Sequence, residues 1–225
     1  MPLAGKAMLL TSMDIDPKDE AEFNRWYDRE HLLERVAIQG FLEARRYIAH
    51  QGSPKYLCLY STATFDVLDS PAYRAALTNP TDWSKAILPR FKNMIRAIAR
   101  ITISRGRGRG SALGIIRIRP LAGSEDGLRA AIAAKLDPEK LDGIISMHLI
   151  ESDPVFSRPI TDDPPVADPG AGDWFVLIDA TNVNAISAAM AAHFTGSAAF
   201  EAGIQISAGS YTLMWDLARD DLPLS

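Results

Sequence analysis

Apolar and polar positions run through this chain in two similar rounds. Residues 7–13, AMLLTSM, form an apolar run of strand length. Asp16-Pro17-Lys18-Asp19 then reads as a helix start, with acids near the positive end of the dipole. The helix is predicted from about Lys18 to Ala37, with Gly40 as its breaker. FLEARRYIAH and YLCLYSTATF read as two strands of a hairpin turned at Gln51-Gly52-Ser53-Pro54. Residues 69–91 are helical in parts, interrupted at Asn79-Pro80 and Pro89, and RAIARITIS (96–104) is a strand.

After RGRGRGS (105–111) the pattern restarts. ALGIIRIRP (112–120) is a strand, and Ser124 caps a helix near 124–136. GIISMHLIES and WFVLIDAT are strands separated by a proline-rich loop, 153–173, in which little regular structure is expected. A helix over Asn184 to about Phe194 and a closing strand in GIQISAGSYTLMWDL complete the round. The chain therefore reads as a diverged internal repeat. AMLLTSM corresponds to LGIIRIR, QGFLEARRY to DGIISMHLI and YLCLYSTAT to WFVLIDAT; setting Gly40 against Gly143 places His148 opposite Arg45. The predicted fold class is α+β, with two tandem ferredoxin-like β-α-β-β-α-β units: 1–106, a linker at 107–111, and 112–225.

The first helix differs most between the rounds: WYDREHLLERV against GLRAAIAAKL. The charged aromatic stretch is thus not required to build the unit, which points to a further role. On a helix turning about 100° per residue, with Phe23 at 0°, Trp26, Tyr27, Leu33 and Ala37 define an apolar face. Glu30 and Glu34 fall in its middle, His31 lies on its edge beside Tyr27, and Arg25, Asp28, Arg29 and Arg35 read as solvated. Carboxylates on such a face need partners, for which Arg45, Arg46 and Tyr60 are candidates. A carboxylate beside an imidazole suits general acid/base work, and an adjacent anion raises the imidazole pKa. The alternative is ion pairing without chemistry.

Composition narrows the partners. The 225 residues carry a net charge of −4, which leaves no basic field for nucleic acid and makes RGRGRGS an exposed linker before an RNA-binding segment. The one cysteine, Cys58, excludes an internal disulfide and a cysteine-built metal site, and reads as a small buried residue. No run approaches the ~18 apolar residues of a membrane helix, and no secretory leader is visible, so the expectation is a cytoplasmic protein without membrane contact. No HExxH, Walker or GxSxG pattern occurs.

Residues 22–47, EFNRWYDREHLLERVAIQGFLEARRY, resemble the signature of EthD-like proteins of the dimeric α+β barrel superfamily, over about residues 7–65. The resemblance implies two ferredoxin-like sheets packed face to face within one chain, forming an intrachain dimeric α+β barrel. It also implies a pocket between the first helix and the sheet, with His31 lining it and Trp26, Tyr27, Glu30 and Glu34 as its wall. Because relatives of this kind include haem proteins, His148 and His193 are candidate ligands, against the plainer reading of ordinary polar histidines.

The leading expectation is an enzyme without a cofactor or metal, acting on a small aromatic or polyketide-like molecule as a decarboxylase, hydro-lyase, cyclase or cofactor-free oxygenase. His31 is the proton shuttle and Glu34 or Glu30 orients it. Trp26, Tyr27, Arg45 and Tyr60 bind substrate, Arg45 through an anionic substituent. A non-catalytic small-molecule-binding or stress-response module is the alternative, and a structural protein the third reading; a homodimer is compatible with each.

Overall fold

The structure is a computed structural model that describes residues 3–158, 170–194 and 202–223. Most of the proline-rich loop, residues 159–169, therefore lies outside the described residues.

Eight strands form one sheet: β1 Ala7–Asp14, β2 Phe41–Gln51, β3 Tyr56–Thr62, β4 Lys92–Gly106, β5 Ala112–Pro120, β6 Ile144–Ser152, β7 Trp174–Ala180 and β8 Gly203–Ala218. The first helix is made of α1 Glu20–Trp26 and α2 Leu32–Val36, joined by a π-helical turn at Tyr27–His31. Its first turn carries Glu20 and Glu22, placed as the dipole favours. Then follow α3 Pro71–Thr78, α4 Asp82–Ile87, α5 Glu125–Lys135 and α6 Val183–His193. Ser70, Thr81 and Asn182 cap α3, α4 and α6 through their side chains. Ser124 makes no such cap on α5.

The expectation of two ferredoxin-like units packed face to face is corrected by the strand pairing. All neighbours are antiparallel and the sheet closes on itself in the order β1-β3-β2-β8-β5-β7-β6-β4. Two long strands make the closure. β4 pairs with β1 over Lys92–Arg100 and with β6 over Ala99–Gly106. β8 pairs with β5 over Gly203–Thr212 and with β2 over Ser210–Ala218. An unpaired edge is a template for adventitious strand addition, and a closed barrel removes it. The RGRGRG segment is less free than a linker, since Arg105 donates to the Leu136 carbonyl and Arg109 pairs with Glu43.

Because period-2 side chains point alternately in and out of the barrel, most strands are buried on both faces. Met8, Leu10, Tyr47, Leu59, Leu113, Phe175 and Leu177 fill the interior. Leu9, Met13, Phe23, Trp26, Phe41, Tyr60 and Tyr73 form a second core between the sheet and α1–α4. The repeat glycines behave alike. Gly40 and Gly143 have φ of +91° and +75°, and a Cβ there meets Val67 Cγ2 at 2.4 Å and Ala185 Cβ at 2.8 Å respectively.

Candidate active site

The π-helical turn decides what the first helix presents. The Leu32 N–H donates to the Tyr27 carbonyl, five residues back. One extra residue in a turn rotates everything after it by about 100° relative to an uninterrupted helix. The even wheel put Leu33 and Ala37 on the buried face and Arg35 in water; the structure reverses this. Leu33 is 38% exposed and Ala37 exposed, whereas Arg35 is only 7% exposed. Leu32 and Val36 take the apolar places instead.

Between this helix, β1 and the segment 73–96 lies a cavity of about 420 Å³. Its walls are apolar, with Leu9, Met13, Leu77, Leu88, Phe91 and Met94 prominent. Thr11, Tyr27, His31 and Tyr60 bring polar atoms to it, and Arg35, Arg96 and Ser157 add further polar groups. His31 stacks on the buried Trp26, with ring centroids 4.2 Å apart, and meets Tyr27 edge-on at 5.1 Å. Its Nδ1 is buried without a hydrogen-bond partner, as are Thr11 Oγ1 and Tyr60 Oη. Three buried polar atoms without a protein partner on one cavity wall are groups that a ligand's polar atoms can satisfy, because such atoms are costly when left unpaired. The Tyr27 hydroxyl lies 3.8 Å from Met13 Sδ, with the Thr11 and Tyr60 hydroxyls nearby.

The other candidate residues separate. Glu30 accepts from Trp26 Nε1 at 3.1 Å, Thr81 Oγ1 at 2.6 Å and Ser84 Oγ at 3.3 Å, which fastens the start of α4 to the helix. Glu34 is partly exposed and does not line the cavity. Trp26 supports the site from behind as the surface on which His31 stacks. Arg45 and Arg46, adjacent on β2, point to opposite faces. Arg46 sits under the helix, bound to Asp28 at 2.9 Å, with its guanidinium 4.3 Å from the Tyr27 ring. Arg45 points into the barrel and pairs with Asp179 at 3.0 Å, away from the cavity. His148 joins the same interior cluster, its Nε2 3.6 Å from Asp179. Thr11 and Arg35 carried no sequence signal. Thr11 lies inside an apolar run, and Arg35 faces inward only through the π turn.

The protonation states follow from the surroundings. Burial first, then the charges of Arg35 and Arg46, hold His31 well below its ordinary 6.5, opposite to the rise expected from a neighbouring carboxylate. Burial also raises Tyr27 and Tyr60, so both are hydroxyl donors near neutrality, and it pushes the Cys58 thiol up to about 12. The His31 shift is linked to stability. Below 6.5 the unfolded chain takes up a proton that folded His31 refuses, so this contribution is full above that value and declines as pH falls. Thermal melts from pH 7 to pH 5 are expected to fall more steeply for the wild type than for His31→Gln. Parallel slopes would place His31 in an ordinary solvated setting.

No protein-family model and no curated relative matches the sequence. Solved structures do match in fold. An anthrone oxidase-like protein superposes with a TM-score of 0.65 at 9% identity, covering 96% of this chain and 94% of that one. A provisionally named monooxygenase from Fusobacterium nucleatum subsp. nucleatum gives 0.57 at 9% identity, over 96% of each chain. A DypB variant from Rhodococcus jostii RHA1, in complex with heme, gives 0.52 at 7% identity, over 98% of this chain and 95% of that one. At these identities the likeness concerns the barrel fold alone. The two histidines singled out for haem do not fit one. Both ring nitrogens of His148 lie 3.0 Å from serine hydroxyls in the sealed barrel, and His193 ends α6, away from the cavity. Among the described residues no cluster of three His, Cys, Asp or Glu side chains could hold a metal, and no helix is long and apolar enough to cross a membrane.

Proposed function

We propose that this protein is an enzyme that moves a proton on a small, flat aromatic or polyketide-like molecule held in the cavity beside His31. The carrying observation is the buried, unpartnered His31 Nδ1 on the wall of an apolar cavity, with Tyr60 Oη and Thr11 Oγ1 equally unpartnered. A neutral imidazole can accept a proton from an acidic C–H or phenolic O–H. The two hydroxyls can donate to the oxygen on which the resulting charge is delocalised. Dehydration, cyclisation and cofactor-free oxygenation can share this first step. The anthrone oxidase-like and monooxygenase neighbours, and the EthD-like look of residues 22–47, support a substrate of this size and acidity. Trp26 is the platform on which His31 stacks, Tyr27 and Tyr60 are cavity walls, and Glu30 is a fastener of the surrounding helices.

A second reading, a binding module without turnover, is favoured by one observation: among the described residues no carboxylate is hydrogen-bonded to His31. Exchange separates the two. Anthrone and related phenolic ketones, incubated with the protein in D2O, are expected to lose the NMR signal of their acidic C–H faster than in buffer. Saturable binding without accelerated exchange would establish the binding module and retire the enzyme.

A further inference from the structure

We infer that the ligand of this cavity is an aromatic molecule bearing a carboxylate, which Arg35 binds. The inference rests on the reading of the cavity as a small-molecule site and names its ligand class. Arg35 is 7% exposed and lines the cavity. Among the described residues its guanidinium has neither a hydrogen bond nor an ion pair. The neighbouring arginines are all engaged. Arg45 is held by Asp179, Arg46 by Asp28 and Asn24, Arg96 by the carbonyls of Phe156 and Arg158, and Arg100 lies over the Phe65 ring. Glu34, next to Arg35 in sequence, feels its charge but makes no ion-pair contact with it.

A largely buried guanidinium with no hydrogen-bonded partner is a costly arrangement, and an anion arriving with the ligand would relieve it. The planar fork of arginine matches a carboxylate in two parallel hydrogen bonds, better than it matches a neutral oxygen. The apolar walls fit an aromatic ring. Thr11 Oγ1 and Tyr60 Oη remain for a second, neutral oxygen. Arg35 and His31 are also one turn apart, which couples binding to chemistry. The free guanidinium suppresses protonation of His31, and a bound carboxylate cancels that field, so the imidazole becomes a stronger base only when the ligand is present.

The test compares 1-naphthoate with 1-naphthamide, probes with the same ring that differ in charge, by isothermal titration calorimetry. Naphthoate is expected to bind about 10- to 100-fold more tightly, the range of a charge-assisted hydrogen bond over a neutral one. Arg35→Met is expected to erase that preference while naphthamide affinity stays within a few-fold. In parallel, the His31 NMR titration midpoint is expected to move up with naphthoate and to stay in place with naphthamide. Equal affinity in the wild type, a comparison that needs no variant to fold, overturns the carboxylate inference and leaves the cavity reading standing. A preference that survives Arg35→Met overturns the role of Arg35. Binding of neither probe overturns both.

Discussion

Asp179→Ala is expected to destabilise the protein by about 3–5 kcal/mol, the cost of leaving one member of a buried ion pair without its partner. Arg45 is 2% exposed and Asp179 fully buried, in a polar cluster inside the barrel that also holds His148 and the buried Glu43. Removing the carboxylate leaves a buried guanidinium without its hydrogen-bonded partner, with only the more distant Glu43 to offset its charge, and takes away the charge facing His148. The control is the double variant Arg45→Met, Asp179→Leu. Replacing both charges by apolar groups of similar volume is expected to recover most of the loss, since the attraction inside a barrel barely repays the desolvation of two ions. Urea denaturation of the three proteins measures both steps. A single variant within about 0.5 kcal/mol of the wild type, the scale of an ordinary surface substitution, would show that Arg45 reaches solvent or another anion. The pair matters for function by exclusion: it commits to the core the arginine that the sequence offered as a substrate anchor. Asp179→Ala protein that remains folded in the cold is therefore expected to keep the ligand affinity of the wild type.

His31→Gln is expected to lower turnover by about 10²- to 10⁴-fold, the usual contribution of a positioned general base. Glutamine keeps a polar tip in the cavity and can still rest against Trp26, so ligand affinity is expected to stay within a few-fold. Loss of kcat with KM retained identifies an interaction that acts in the transition state. The pH profile adds a readout that a packing role cannot imitate. Because His31 in the free protein titrates well below 6.5, wild-type kcat/KM is expected to stay level from pH 8 down past 6.5 and to fall only at lower pH. A variant that loses affinity and turnover together, with the pH profile unchanged, would reduce His31 to a wall of the cavity.

The strands and the first helix are legible in the chain, because each is written in local periodicity. Runs such as AMLLTSM and WFVLIDAT are apolar on both faces, as strands in a covered barrel must be, and Gly40 and Gly143 stop the chain where a side chain has no room. The sequence also located His31, Tyr27 and Tyr60, which the structure brings to one cavity wall. Three matters were left to the tertiary structure. Closure of the sheet depends on β4 and β8 each pairing on both sides, and pairing between residues more than a hundred positions apart has no local signature. The face to which Arg45 and Arg46 point is set by strand register, in which a shift of one residue exchanges barrel interior for helix interface. The inward turn of Arg35 and the outward turn of Leu33 depend on one π-helical turn. An even 3.6-residue period does not contain that turn, which adds one residue between Tyr27 and Leu32.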